Sequence, residues 1–289
     1  MNDELKIQAS ALAEFVCDGN EALQFRLVSK EKIESSSIQY NPFSSLDQVK
    51  SAEDLEDPEL SFKPEMCHQI YGDNENIFGY KGLEVNLFMS AGSLQTYINH
   101  SYSEKVDPSK TDGVTADDVI SPLVKILAPD SFTSSKETFI SRVNSEEEQN
   151  FRLEFIIHSH ITYSLLRPMG ELVDTISVEN KTYEVFRCLE STPRFREYHE
   201  RLQAWIMFYI DAASYIDIDD DNWRIFLMFE KTGGPGNSQY SIVGYLTVYQ
   251  YYAYGRETNK VRPRISQMLI LPPYQRQGLG SRLLETVYK

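Results

Sequence analysis

One stretch of the chain carries residue types at a spacing able to hold an anionic ligand. It reads Ser266-Gln-Met-Leu-Ile-Leu-Pro-Pro-Tyr-Gln-Arg-Gln-Gly-Leu-Gly-Ser-Arg-Leu-Leu284. The apolar run Met268, Leu269, Ile270, Leu271 stops at two prolines, and the pattern Gln275-x-x-Gly278-x-Gly280 follows. Glycines in such a turn tolerate unusual dihedrals and let backbone approach a ligand. The exposed amides that open the next helix then face an anion, helped by the helix dipole. A pyrophosphate fits that description, and Arg276 and Arg282 could add charge. A Walker A loop would need Gly-Lys-Ser/Thr at its end, which is missing. A Rossmann fingerprint needs a third glycine and a place in the first βα unit. A nucleophile elbow needs Gly-x-Ser-x-Gly. The remaining alternative is an ordinary strand–turn–helix whose glycines serve packing alone.

A second set of residues is aromatic and acidic. Alternation along Val243–Tyr251 puts Tyr245, Thr247, Tyr249 and Tyr251 on one face. That face could wall a channel for an aliphatic stem that ends in a cation, through cation–π attraction. For Tyr245 a half-buried aromatic sheet face is the simpler account. Asp217, Asp219, Asp220 and Asp221 precede Trp223. They could draw in a basic peptide or form a solvated loop, and the two accounts weigh equally. His158 and His160 stand two apart without a third ligand, so no metal pair is expected. His199 is expected on the polar side of its helix. Cys188 is expected to be a core thiol, since no spacing supplies a base partner.

The elements that must position these groups follow from periodicity and punctuation. Leu23–Val28 reads as a strand, and a Ser-rich loop follows from Ser35 to about Ser61. Ile77–Tyr102 is strand-like, with Leu83, Val85 and Leu87 on one face. Ala116–Leu127 and Lys136–Val143 read as helices. Ser145–Gln149, with Glu146, Glu147 and Glu148, reads as an exposed linker. This divides the chain into residues 1–145 and 146–289. Thr175–Leu189 reads as a hairpin turning at Glu179-Asn180-Lys181. Thr192-Pro193 predicts a helix start, with Thr192 as N-cap. Apolar residues at spacings of three and four carry that helix from Tyr198 to Ile216. Ile225–Glu230, Ser241–Tyr252 and Ile265–Leu271 read as strands, and Ser281–Tyr288 as a helix.

Composition narrows the partners. The 289 residues carry a formal net charge of −15, with 41% hydrophobic and 25% charged residues. That is an ordinary globular balance and excludes collagen, acidic disordered tails and disulfide scaffolds. A chain so acidic is a poor binder of phosphate backbones, so no direct nucleic-acid partner is expected and a basic peptide is more natural. The 18 Tyr and 15 Phe promise filled cores or an aromatic-lined site. Cys17, Cys67 and Cys188 show no Cys-x-x-Cys spacing, which argues for a reducing compartment and against a structural zinc. No signal peptide is recognisable at the start, and the longest apolar run, Ala204–Ile210, is too short to cross a bilayer.

The strand followed by Gln275-x-x-Gly278-x-Gly280 resembles the acetyl-CoA motif of the GNAT acetyltransferases. The flanks sharpen the resemblance toward the type B histone acetyltransferase catalytic subunits. They include Arg194-Phe-Arg-Glu-Tyr-His-Glu-Arg-Leu-Gln203, Ala213-Ser-Tyr-Ile-Asp-Ile-Asp-Asp220, Val243-Gly-Tyr-Leu-Thr-Val-Tyr-Gln-Tyr-Tyr252 and Pro263-Arg-Ile-Ser-Gln-Met-Leu-Ile-Leu271. Gln69-Ile-Tyr-Gly-Asp-Asn-Glu75 and Phe78-Gly-Tyr-Lys-Gly82 belong to the same family pattern. The resemblance is strong over residues 61–105 and 193–289 and weak over 1–60 and 144–190.

The resemblance implies an α/β fold of mixed α+β character. An amino-terminal histone acetyltransferase domain (1–145) would precede a GNAT domain (146–289) with a twisted, mostly antiparallel sheet that is incomplete at its carboxy-terminal side. It implies acetyl transfer from acetyl-CoA, without a metal, to a lysine of the newly made histone four tail. A carboxylate base would assist. Met268, Leu269 and Ile270 would pair with the pantetheine arm, and Gln275, Arg276, Gln277, Gly278, Leu279 and Gly280 would hold the pyrophosphate. Asp73, Asn74 and Glu75 would face the basic tail, Asn74 standing where a third acid is common. Trp223, Tyr249, Gln250 and Tyr251 would line the peptide and lysine channel. Asp211 matches a position near the active centre that is usually Glu.

The resemblance also implies a WD-repeat histone-binding partner and residence in nucleus and cytoplasm. The family's Glu base lies on a segment that would follow Lys289. The chain is therefore expected to be a fragment or truncated product with little acetyltransferase activity of its own. The alternatives are a form that only binds histone tail or partner, and a GNAT enzyme acting on another amine.

Overall fold

The computed structural model describes residues 12–29, 58–111, 113–144, 168–234, 238–254 and 260–289. These fall into two compact units. The first comprises Met1–Met89, Gln95–Ile140 and Arg201–Ser214; the second comprises Ser90–Leu94, Ser141–Glu200 and Tyr215–Lys289. Among the described residues, no helix is long and apolar enough to cross a membrane.

The first unit opens with β1 (Val16–Asp18), a one-turn helix α1 (Gly19–Ala22) and β2 (Leu23–Val28). After β3 (Ser61–Phe62) come α2 (His68–Tyr71), β4 (Asn76–Phe78), β5 (Tyr80–Lys81), β6 (Glu84–Ser90), β7 (Thr96–Ser101) and β8 (Glu104–Lys105). Then follow α3 (Ile120–Ile126), β9 (Phe132–Thr133) and α4 (Lys136–Asn144). The main sheet has the order β3-β2-β6-β7-β9, antiparallel from β6 to β7 and parallel from β7 to β9. Leu83, Val85 and Leu87 are all buried, as the alternation predicts. The expected helix over Ala116–Leu127 is shorter, because Asp118 accepts the amides of Ile120 and Ser121 and starts the helix there. The core is aromatic. Phe25 packs on Phe62, Trp205 and Phe208 with ring centroids 5.6, 5.0 and 4.8 Å away.

The second unit is built on one sheet. β10 (Glu171–Val178) and β11 (Lys181–Cys188) form the predicted hairpin. α5 (Phe195–Leu202) leads through a 3-10 turn (Gln203–Trp205) to α6 (Ile206–Tyr209), and from Arg201 to Ser214 this run belongs to the first unit. β12 (Trp223–Thr232), β13 (Gln239–Tyr252), β14 (Val261–Ile270) and α7 (Leu279–Tyr288) complete the order. The sheet runs β10-β11-β12-β13-β14, antiparallel throughout. This agrees with the α/β expectation of a mostly antiparallel GNAT sheet. α7 covers part of it with Leu279 and Leu283, and the Thr286 hydroxyl donates to Asp174 on β10 at 2.8 Å.

The helix predicted from Thr192 to Ile216 is corrected at both ends. The Thr192 hydroxyl accepts the Leu189 amide at 2.9 Å, closing the preceding turn instead of capping α5. The helical run ends at Tyr209, and Ile210 is extended. There the Phe208 carbonyl accepts the amides of Glu65 and Met66, and the Tyr209 hydroxyl donates to the Lys63 carbonyl. These tertiary bonds stop a pattern that local spacing would continue. His199 is also corrected: it is buried, beside Phe195. Cys188 is a buried core thiol, as expected, and burial raises its pKa. His158, His160, the Ser145–Gln149 linker and most of the Ser35–Ser61 loop lie outside the described residues.

Candidate functional site

The glycine-turn residues lie at the edge of the second unit's sheet. Among the described residues β14 has one neighbour, β13. Gly244, Tyr245 and Leu246 stand opposite Ile270, Leu269 and Met268. The Leu271 amide donates to the Val243 carbonyl at 2.9 Å. By alternation the polar backbone groups of Leu269 then face β13, and those of Met268 and Ile270 face the open edge. Gly244 makes the close approach possible, since a Cβ there would lie 2.3 Å from the Leu269 carbonyl oxygen.

Beyond Ile270 the chain turns through a 3-10 segment, Pro272–Tyr274, into the glycine pattern. Two glutamine side chains staple the turn. Gln275 Nε2 donates to the Ile270 carbonyl at 2.8 Å, and Gln277 Nε2 donates to the Pro273 carbonyl at 3.0 Å. Arg276 and Gly278 take left-handed φ angles of 60° and 78°. Gly278 is the N-cap of α7 and contributes no capping side chain. The first amides of a helix have no intrahelical acceptor, so those after Gly278 are left to an external anion or to water. A Cβ on Gly280 would come within 3.3 Å of Met268 Cε, so this glycine keeps the helix start close to the strand. The open strand edge offers paired backbone groups to an amide-bearing arm, and the uncapped helix start offers N–H groups to a diphosphate. The residues present fit acetyl-CoA.

The aromatic residues lie further along the same strands. Trp223 stands opposite Tyr249 across β12 and β13, with ring centroids 4.9 Å apart in an edge-to-face arrangement. The Tyr249 hydroxyl bonds the Asp220 carboxylate, which pushes its pKa above the ordinary tyrosine value. Gln250 takes its backbone bond from the loop before β12, its amide donating to the Asn222 carbonyl at 2.9 Å. Tyr251 is more than a third exposed. On β14 the partners of Tyr249 and Tyr251 are Arg264 and Arg262.

The acidic run before Trp223 has internal work to do. Asp217 accepts the Asp219 amide, Asp220 accepts the amide and side chain of Asn222, and Asp219 pairs with Arg196. Hydrogen bonding from the Asn222 amide holds the Asp220 carboxyl below its ordinary range. These bonds fold the loop that delivers Trp223 to the start of β12.

In the first unit, Asp73, Asn74 and Glu75 form the turn between α2 and β4. Asp73 and Asn74 are exposed. Glu75 sits at φ 53°, and its Oε1 accepts the amides of Cys67 and His68 at 2.6 and 3.0 Å. Its Oε2 accepts Asn20 Nδ2 at 2.8 Å. The Cys67 amide bond, with the others, holds this carboxyl below the ordinary glutamate range. His68 stands between two acids, its Nδ1 3.7 Å from Glu75 and its Nε2 3.3 Å from Asp211. Asp211 is largely exposed beyond the end of α6. The sequence pattern alone did not point to His68, because its partners lie 7 and 143 residues away. Asp73, Asn74, Glu75 and Asp211 thus belong to the first unit, and Trp223, Tyr249, Gln250, Tyr251 and the glycine turn to the second.

The model of the acetyltransferase (GNAT) family matches residues 181–289, which span β11 to α7. The part of the second unit from β11 to α7 is thus similar to an acyl-transfer class of protein. The model described as histone acetyl transferase HAT1 N-terminus matches residues 15–211, and the chain belongs to that family. It is 40% identical over 279 residues to the human histone acetyltransferase type B catalytic subunit. Proteins of the same name from Cryptococcus neoformans and Dictyostelium discoideum are 33% and 34% identical over 292 and 242 residues. These alignments cover 96%, 97% and 83% of this chain and 58%, 65% and 47% of the three relatives. The chain spans less than two thirds of the length of each.

Proposed function

We propose that this chain is part of a type B histone acetyltransferase that moves acetyl from acetyl-CoA to a lysine of the histone four tail. One observation carries the reading. The open edge of β14, the stapled glycine turn and the uncapped start of α7 follow one another within 21 residues of one unit, Met268–Tyr288. Bound acetyl-CoA supplies a thioester acyl group, and the rest is done by residues of the chain. Backbone groups of Met268 and Ile270 would hold the pantetheine arm, with Leu269 anchoring the strand to β13. The Gln275–Gly280 turn would hold the diphosphate. Trp223 and Tyr249, with Gln250 and Tyr251 on the same strand, would flank the aliphatic stem of an incoming lysine.

Asp73 and Asn74 would meet the basic tail directly, and Glu75 would act chiefly by holding their turn. Asp211 is a carboxylate that His68 could orient. In this reading residues 1–145 serve tail and partner recognition, and residues 146–289 hold the cofactor and the lysine channel. The partner would be a WD-repeat histone-binding subunit, and the protein would work in nucleus and cytoplasm.

The test is a calorimetric titration of this chain with acetyl-CoA, with NADH as the comparison. Saturable binding of acetyl-CoA alone is the expected result. A folded chain that binds neither, or both equally, would sink the cofactor assignment. Acetylation of a histone four tail peptide, set against a Gly278→Asp control, then tests the substrate. Equal labelling of a small amine would favour a different acceptor, and tail binding without labelling would favour a recognition role alone.

A further inference from the structure

Between Leu246 and Val248 the β13–β14 register slips by one residue. Leu246 stands opposite Met268, and Val248 stands opposite Ile265. Thr247 therefore faces two residues, Ser266 and Gln267, which is a β-bulge on β14. The bulge is held from the inside. The Gln267 amide donates to Thr247 Oγ1 at 2.9 Å, and both side chains are buried. The Thr247 hydroxyl in turn lies 3.5 Å from the Gln267 carbonyl. An amide at a bulge has lost its ladder partner, and a buried N–H without an acceptor is costly. Here a side-chain oxygen replaces the missing carbonyl.

This bulge decides what lies on either side of it. Toward the glycine turn, the register puts Leu269 opposite Tyr245 and leaves the backbone groups of Met268 and Ile270 on the open edge. Toward the hairpin end, the slip puts Arg264 and Arg262 opposite Tyr249 and Tyr251. Without the extra residue, continuing the pairing beyond Leu246 would bring Ile265 and Pro263 opposite those tyrosines. Continuing it instead from the hairpin end would bring Met268 opposite Tyr245 and turn its polar groups toward β13. A one-residue slip exchanges faces and edges in just this way.

We infer that Thr247 is a positioning residue for the cofactor strand: its hydroxyl pins the bulge that presents Met268 and Ile270 at the open edge. The ligand named here is that of the proposed function, whereas the pinning itself is independent of any ligand. Thr247 touches no reacting atom. It acts through Gln267.

The experiment compares Thr247→Val, Thr247→Ser and Thr247→Ala in the full chain. Two quantities are read: hydrogen exchange of the Gln267 amide by NMR, and the dissociation constant for acetyl-CoA. Val keeps the shape and loses the hydroxyl; its Gln267 amide should exchange at least about tenfold faster and acetyl-CoA should bind about tenfold more weakly. Ser keeps the hydroxyl and should stay within about threefold of the parent on both counts. Should Val fail to fold, the Ser–Ala pair decides, because those two differ only in the hydroxyl and both lack the methyl. A general loss of packing would affect Ser and Ala alike, so rescue by Ser alone is the signature of pinning. Unchanged Gln267 protection in Val or Ala would overturn the inference. So would restored protection in Ser with no recovery of acetyl-CoA affinity. A parent chain that binds no acetyl-CoA would overturn the proposed function, and the exchange arm would still judge whether Thr247 holds the bulge.

Discussion

The Glu75 carboxylate accepts the Cys67 amide at 2.6 Å, so an acid downstream of a short helix caps the beginning of that helix. Its second bond, to the His68 amide, completes the cap that α2 lacks from its own N-cap side chain. Losing a side-chain cap costs about 1 kcal/mol, and Glu75→Ala should lower unfolding stability by about that much. The carboxyl is held below the ordinary glutamate range, first by the Cys67 amide. A group with a depressed folded pKa stabilises above its unfolded value and loses that contribution as pH falls through the folded one. Urea melts of parent and Glu75→Gln should therefore converge in acid, because Gln can still accept one amide but does not titrate. Parallel curves from pH 7 to pH 3 would show that the carboxylate is not the cap that matters.

His199 offers the opposite charge type. Burial pushes its pKa down to about 4, and its Nε2 has no hydrogen-bond partner among the described residues. In the unfolded chain it titrates near the ordinary value of about 6.5. The unfolded state then takes up the proton first, so stability is full above that value and is lost as pH falls from 6.5 toward 4. The loss amounts to roughly 3 kcal/mol at most. His199→Leu should remove this slope from the melting temperature measured against pH. A slope of the same size in the variant would assign it to other groups.

Trp223 and Tyr249 form an edge-to-face pair at a directly opposed register position. Such pairs are coupled by about 0.5–1.5 kcal/mol beyond the area they bury. A double-mutant cycle with Trp223→Ala and Tyr249→Ala, read by urea unfolding, should return a coupling in that range. Strict additivity would mean that the rings are neighbours without interaction. Under the proposed function, Trp223→Ala should also raise KM for the tail peptide more than it lowers kcat.

Two glycines should behave differently. Gly278 has open space where a Cβ would go, and only its φ of 78° opposes a side chain. Gly278→Ala should cost about 1–2 kcal/mol. Gly244 has ordinary dihedral freedom to spare, but a Cβ there would meet the Leu269 carbonyl oxygen. Gly244→Ala should cost about 3 kcal/mol or more and push β14 off β13. Acetyl-CoA titration and thermal melts of both variants check the order. A Gly244→Ala chain that binds normally would show that β14 does not need to sit this close.

The parts of the site that were legible in the sequence are those fixed by local chemistry. Strand, prolines and glycines in a row announced the turn into α7, and alternation announced β13. The bulge at Ser266–Gln267 was not legible, because it depends on an oxygen supplied by a different strand. The Glu75 cap was hidden for a related reason: the capping acid follows the helix it caps, whereas start signals are sought before it. His199 was misjudged by residue type, although Phe195, Tyr198 and Leu202 already define a buried arc on α5 that includes it. The end of the helical run at Tyr209 was set by bonds to Lys63, Glu65 and Met66, some 140 residues earlier in the chain, which no window of spacing contains.

The way the two units share the chain governs how it can be dissected. Residues 201–214 return to the first unit and bring Trp205 and Phe208 against Phe25. Residues 90–94 are lent to the second, where the Ala91 carbonyl accepts the Ile242 amide at 2.8 Å. A single cut near residue 145 would leave the amino-terminal piece with Phe25 and Phe62 bared where an indole and a phenyl ring had been. The carboxy-terminal piece would carry those same two rings without Phe25 and Phe62 to pack against. Proteolysis or split-gene expression at that point should yield insoluble pieces singly and a soluble product only when both are made together.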